Sequence, residues 1–322
     1  MKIFKFFTGS LLVLVGIFVA GPRVDQSTSL QPVNLPADLD QYVKDVESQF
    51  ADITPGTERN IVWAGEKNFR TDFAVVYVHG YTATRQEIAP VPQMIASRLQ
   101  ANLYNERLTG HGRPGDFLRE ASVNQWINDS NEAIEIGRRL GKKVVLIGVS
   151  TGATLLTHLL NLPQFQDMHA AIFISPNYLP KDPSAKALLL PWSEYYVELI
   201  LGEYRDWADS AQNDQQRKFW TTRYPSVSLR DMMGAVNVVA ESELDGITVP
   251  IFGIVHKDDN VINPEVALQT FERIKKAPVK TLVLTEKTGH KNDHVIAGDA
   301  LSPENNQMVT DQVIQFLNGL KK

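Results

Sequence analysis

"VVLIGVSTGATLL", residues 144–156, places a single serine, Ser150, between Gly148 and Gly152 at the end of an apolar run. The residues before it read as a buried strand and those after it as a helix, the context in which G-x-S-x-G carries meaning. A serine on so sharp a strand-to-helix turn sits in strained backbone, and its glycine neighbours let strand and helix pass closely. A phosphate-binding turn would need further glycines and usually a lysine or an acidic partner. None is present here.

Outward from this turn, strands and helices alternate. "DFAVVYVHGYT" and "KKVVLIGVS" are fully buried strands, "ANLYNERL" and "AAIFISP" are strands, and "RNIVWAG" is an edge strand. Between them, "QEIAPVPQMIASRLQ", "NQWINDSNEAIEIGRRLG" and "TGATLLTHLLNL" read as helices. Near-continuous apolar strands in a β-α-β-α order predict a parallel sheet covered by helices on both faces. The rhythm stops over residues 176–246, where helix-like segments carry Trp192, Tyr195, Tyr196, Tyr204, Trp207, Phe219, Trp220 and Tyr224 without a recognisable strand. It resumes with "VPIFGIV", "PEVALQTFERIKKA", "KTLVLTE" and a last helix, "ENNQMVTDQVIQFLNGL". Residues 176–246 are therefore expected as a cap over one end of the sheet, with the aromatic cluster read first as the cap's own core.

A serine hydroxyl needs a base to take its proton and an acid to orient that base. After the strand "IFGIV" stand two carboxylates, Asp258 and Asp259. Asp259 is favoured because Val261-Ile262 and the helix start at Pro264 fix its position, whereas Asp258 reads as a solvated turn residue. After the next strand stand two histidines, His290 and His294. His294, nearer the last helix and followed by Val295-Ile296, is favoured over His290. A metal site from His290, Asp293 and His294 has no recognised ligand spacing. The negative charge developing on a substrate oxygen calls for backbone donors at Thr151, after the nucleophile, and at Tyr81, after "YVHG". His79 reads as a structural hydrogen-bonding residue, and His111 as part of a glycine-rich loop near the pocket mouth.

With 43% hydrophobic and 21% charged residues the chain has an ordinary globular composition, and a net charge of −5 without an arginine-rich patch excludes a nucleic-acid binder. The absence of cysteine excludes thiol catalysis and disulfides. "MKIFKFFTGSLLVLVGIFVAGPRV" sets Lys2 and Lys5 before an almost unbroken apolar run, Phe6 to Ala20. Residues 1–22 therefore read as a signal anchor or signal peptide. Phe18 stands where a cleavage site wants a small residue and Pro22 follows Gly21, which favours an uncleaved anchor. The body of the protein is then exported and membrane-attached, in the periplasm if the source is a Gram-negative bacterium. Residues 23–59 are expected as a linker, "DQSTSLQPVNLPADL", and a short amphipathic helix, and residues 60–322 as the main domain.

His79-Gly80-Tyr81, Gly110-His111-Gly112, Gly148-Val149-Ser150-Thr151-Gly152, Asp259 before Val261-Ile262 and a late histidine together resemble the α/β-hydrolase superfamily, in its monoacylglycerol-lipase, carboxylesterase and serine-aminopeptidase-like branch. The likeness covers roughly residues 60–320. It implies an α/β fold with an eight-stranded, mostly parallel sheet, helices on both faces and a helical cap between the sixth and seventh strands. It further implies a serine hydrolase that uses Ser150, Asp259 and His294, forms an acyl-enzyme, and needs no cofactor or metal. The expected substrate is a small acyl ester, including lipid esters. His256, where relatives commonly carry glycine, and Thr151, where many carry methionine or glutamine, depart from the pattern. A peptidase would want an acidic cap residue for a free amine, and Glu194, Glu198 and Glu203 are available. The same residues also admit a thioesterase or a non-catalytic binding member of the fold.

Overall fold

The computed structural model describes residues 15–320. One sheet is built from seven strands: β1 (Asn60–Val62), β2 (Thr71–Val78), β3 (Asn102–Asn105), β4 (Gly141–Val149), β5 (Ala170–Ile174), β8 (Ile251–His256) and β9 (Val279–Leu284). Their spatial order is β1-β3-β2-β4-β5-β8-β9. β1 runs antiparallel to β3 and every other pairing is parallel. The sheet thus has seven strands where eight were expected: a single short antiparallel strand, β1, precedes the parallel set among the described residues.

Side chains alternate across this sheet. Val76, Val78, Leu146 and Phe173 belong to one apolar cluster. Tyr77, Ile147, Val149 and Ile174 belong to the other. Helices α3 (Val123–Leu140), α4 (Thr151–Leu160), α7 (Leu229–Ala240) and α8 (Pro264–Arg273) contribute to the first. Helices α2 (Val91–Leu99) and α9 (Asn306–Gly319) contribute to the second. Burial on both faces is why the strands read as unbroken apolar runs. The chain goes from β2 to β3 on one side and then crosses to β4 on the other, so its topological switch lies at the β2–β4 boundary, where ligands of open α/β sheets bind beyond the strand ends.

Between β5 and β8 lies the cap: α5 (Ser193–Leu201), α6 (Asp214–Phe219), α7, and an antiparallel pair, β6 (Tyr204–Asp206) with β7 (Arg223–Pro225). The two strands were not expected. At three residues each they are too short to show a period of two, and Tyr204 and Arg223 are held together across the pair by a cation–π contact of 3.6 Å.

The amphipathic helix expected before the main domain is α1 (Leu39–Glu47), capped by Asp38, which accepts from the Gln41 N–H. The stretch expected as a linker is not free. Its backbone is gripped by asparagines one turn apart on α3: Asn124 Nδ2 donates to the Ser29 carbonyl, Asn128 Nδ2 to the same carbonyl, and Asn131 Nδ2 to that of Gln31. Among the described residues no helix is long and apolar enough to cross a membrane. Residues 1–14 of the expected anchor lie outside the described residues.

Candidate active site

Ser150 occupies the turn between β4 and α4 with φ +50° and ψ −117°, a conformation rare for any residue with a side chain. The surroundings over-determine it. Its N–H donates to the Ile174 carbonyl and its carbonyl accepts from the N–H groups of Thr154 and Asn177. A Cβ on Gly152 would stand 2.2 Å from the Val78 carbonyl oxygen, and one on Gly148 would stand 2.7 Å from the Ala153 backbone. Both are approaches only glycine permits. The glycines that defined the motif are thus required by the crossing of β2, β4 and α4.

Of the two carboxylates after β8, Asp259 is fully buried and Asp258 is exposed. Asp259 Oδ1 accepts from the N–H groups of Val261 and Ile262, at 2.8 and 3.0 Å, which aims Oδ2 at His294 Nδ1, 2.7 Å away. Burial pulls the His294 pKa down, but the Asp259 charge and hydrogen bond, with a further contribution from Glu87, hold it above the ordinary imidazole value. Ser175, at the end of β5, donates its hydroxyl to the His294 carbonyl at 2.7 Å and fixes the backbone that carries the ring.

His290 has another role. Its Nδ1 accepts from the N–H of Val295 at 3.2 Å and, more weakly, from that of His294 at 3.4 Å, so it pins the loop. Burial, with the His294 charge, lowers its pKa to about 4, and it stays neutral. Asp293 accepts from the Thr288 N–H and pairs with Lys287. No group of metal-ligating side chains forms among the described residues.

The Tyr81 and Thr151 N–H groups donate to no protein acceptor among the described residues. The Tyr81 side chain is clamped by its hydroxyl to Ser228 Oγ of the cap at 2.7 Å and packs edge-on against Tyr224 and His111. His111 is fully buried beneath that ring rather than at the pocket mouth. His79 bridges the Gly80 carbonyl and the Leu108 N–H, with its pKa lowered to about 4 by burial. Sequence reasoning missed Glu87. Its buried carboxylate accepts from the Gly80 N–H at 2.8 Å and from the Tyr77 hydroxyl at 3.1 Å, and it would crowd any Cβ on Gly80 at 2.8 Å. A lone acid in "YTATRQEIAP" carries no motif, and only the pairing of β2 with the following loop reveals its partners.

Ser150, His294, Glu87 and Tyr81 line one cavity of about 450 Å³. Its far wall comes from the cap, where Trp207, Trp220, Tyr224, Leu229 and Met232 face it. Three of the aromatics expected to form a cap core, Trp207, Trp220 and Tyr224, pack in or against the apolar clusters and line the cavity as well. Ser150 and His294 share no hydrogen bond in this arrangement.

A family model described as serine aminopeptidase, S33 (Hydrolase_4), matches residues 70–292. Among solved structures, the fold is similar to that of metagenome-derived lipolytic enzymes, LipS and LipT, at 18% identity and a TM-score of 0.67 over 83% of this chain and 100% of that one. It is also similar to a monoacylglycerol lipase from Paleococcus ferrophilus, at 15% identity and a TM-score of 0.54 over 80% and 97% of the two chains. A soluble variant of monoglyceride lipase from Saccharomyces cerevisiae gives 12% identity and a TM-score of 0.55 over 81% and 91%. No curated protein matches the sequence. At these identities the solved structures establish the fold, and the family model adds membership: the chain belongs to the Hydrolase_4 (serine aminopeptidase S33) family of α/β hydrolases.

Proposed function

We propose that the protein is a serine esterase of the carboxylesterase or monoacylglycerol/lysolipid lipase type, working through an acyl-enzyme on Ser150. The observation that carries this reading is the buried Asp259–His294 pair, 2.7 Å from Oδ2 to Nδ1, whose histidine lines the same cavity as a strained Ser150. With Nδ1–H donated to Asp259, the lone pair of His294 sits on Nε2, the atom that takes the Ser150 proton as Oγ attacks the ester carbonyl. The Tyr81 and Thr151 N–H groups then donate to the oxyanion, each contribution being worth about 3 kcal/mol in such sites. Protonated His294 hands its proton to the departing alcohol. Water, deprotonated by the same ring, releases the acid.

The cap supports an acyl ester over a peptide with a free amine. An aminopeptidase must neutralise an ammonium group; the cap glutamates Glu194, Glu198 and Glu203 lie outside the cavity, Glu194 facing Arg230 and Glu198 facing Arg119, and the carboxylate that does line it, Glu87, is already held by the Gly80 N–H and the Tyr77 hydroxyl. The cap side of the cavity sets Trp207, Trp220, Tyr224, Leu229 and Met232 beside Ser210 and Gln216, a mostly apolar wall suited to an acyl chain. Assay with p-nitrophenyl esters of graded chain length beside an amino-acid p-nitroanilide tests the reading. Ester turnover that varies with chain length, with the anilide inert, is expected; faster turnover of the anilide overturns it.

A further inference from the structure

Helix α5 faces the wrong way for a water-exposed body. Its buried positions, Ser193 and Val197, are one turn apart, so the opposite side carries Tyr195 and Leu199, with Ile200 beside them. These three are 63%, 86% and 71% exposed. A surface helix normally turns its polar side outward.

The N-terminal run ends against the same helix. Residues 15–19 form a helical turn whose Ile17, Phe18 and Val19 are also exposed. Trp192, immediately before α5, caps it: its indole Nε1–H donates to the carbonyls of Ile17 and Phe18, and its backbone N–H donates to that of Pro22 at 2.8 Å. The contact is close enough that a Cβ on Gly21 would stand 1.9 Å from the indole nitrogen. Beyond Pro22 the chain is strapped to α3 and α7 by Asn124, Asn128 and Asn237, so the turn has little freedom to swing away.

We propose that the outer side of α5 and the end of the N-terminal run form one docking surface for a lipid bilayer, the run entering the hydrocarbon while Tyr195, Leu199 and Ile200 seat in the interfacial layer. The sequence identifies this occupant over a second protein copy, because the apolar residues continue upstream to Phe6 and are preceded by Lys2 and Lys5. Phe6 to Ala20 is a run of fifteen residues, short of the roughly 20 apolar residues that crossing the hydrocarbon core takes. A run that short, held by Trp192, draws the body onto the membrane surface, and α5 is the part beside it. The proposal is independent of the chemistry at Ser150.

The chain lacks cysteine, so a single Leu199→Cys in the full chain can carry an NBD label. Its reference is a label at Asp311→Cys on α9. In phosphatidylcholine–phosphatidylglycerol vesicles the label at 199 is expected to shift to the blue and to be quenched at least threefold by doxyl lipids, with the label at 311 unaffected. A label at 199 that stays water-exposed overturns the proposal. So does one shielded without lipid quenching, which would mean a protein partner. Because residue 199 is on the surface, unchanged thermal unfolding of the labelled chain is the check that its fold is intact.

Discussion

The loops at the C-terminal edge of the sheet and the cap above them are built on opposite terms. At the sheet edge the groups around His294 are held by hydrogen bonds: Asp259 holds His294 and two backbone N–H groups, Ser175 holds the His294 carbonyl, and Glu87 holds Gly80 and Tyr77. The cap turns aromatic faces to a cavity on one side and apolar side chains to the outside on the other. In the proposed mechanism the first region carries the chemistry, which depends on holding the reacting groups in place. In the same proposal the second region selects the substrate and meets the surroundings.

Substitutions should separate the two regions by size of effect. Ser150→Ala is expected to reduce kcat by about 10⁴- to 10⁶-fold with the fold intact, read by ester turnover and thermal unfolding. Asp259→Asn, which forces the wrong tautomer on His294, should cost about 10⁴-fold. His290→Ala should cost only about tenfold, since it loosens a loop and removes no proton acceptor. If His290→Ala instead matches His294→Ala, the assignment of the base is wrong. Gly152→Ala pushes a methyl group into the Val78 carbonyl and should lower stability by about 1–3 kcal/mol or more, measured as a fall in Tm.

Cap substitutions should do less. Trp220→Ala is expected to change the preferred acyl length and kcat/KM by about tenfold, without moving the pH profile. A change in kcat alone, with no change in selectivity, would show that this wall does not contact the acyl chain.

The smallest effect is the most specific. His294 must be deprotonated to act, so kcat/KM falls as pH drops through its raised pKa, and the acid limb lies above the ordinary imidazole value. A Glu87 carboxylate contributes to that raised value, after the charge and hydrogen bond of Asp259; Glu87→Gln should move the limb to lower pH. A limb that stays in place assigns Glu87 to loop-holding alone.

Much of the sheet edge was legible because its chemistry rests on backbone constraints that restrict residue type. Only glycine fits at 148 and 152, and the loops after β8 and β9 that carry Asp259 and His294 follow from the parallel order. The supports were not legible. Glu87 acts by folding back on the strand end seven to ten residues before it and Ser175 by reaching a segment 119 residues away, and neither has a pattern of its own. Residues 27–31 read as a linker because they bind through main-chain carbonyls, to which side-chain periodicity is blind. The aromatics of the cap showed only that they would be buried, and a pocket wall and a packed core both satisfy that.

Ser150 as a nucleophile activated by His294 and oriented by Asp259 is tested most directly by intact-mass measurement after exposure to a fluorophosphonate. One adduct on Ser150 is predicted, absent in Ser150→Ala, strongly slowed in His294→Ala and nearly unchanged in rate in His290→Ala. An adduct that persists in Ser150→Ala, or labelling that depends on His290 and not on His294, would contradict it.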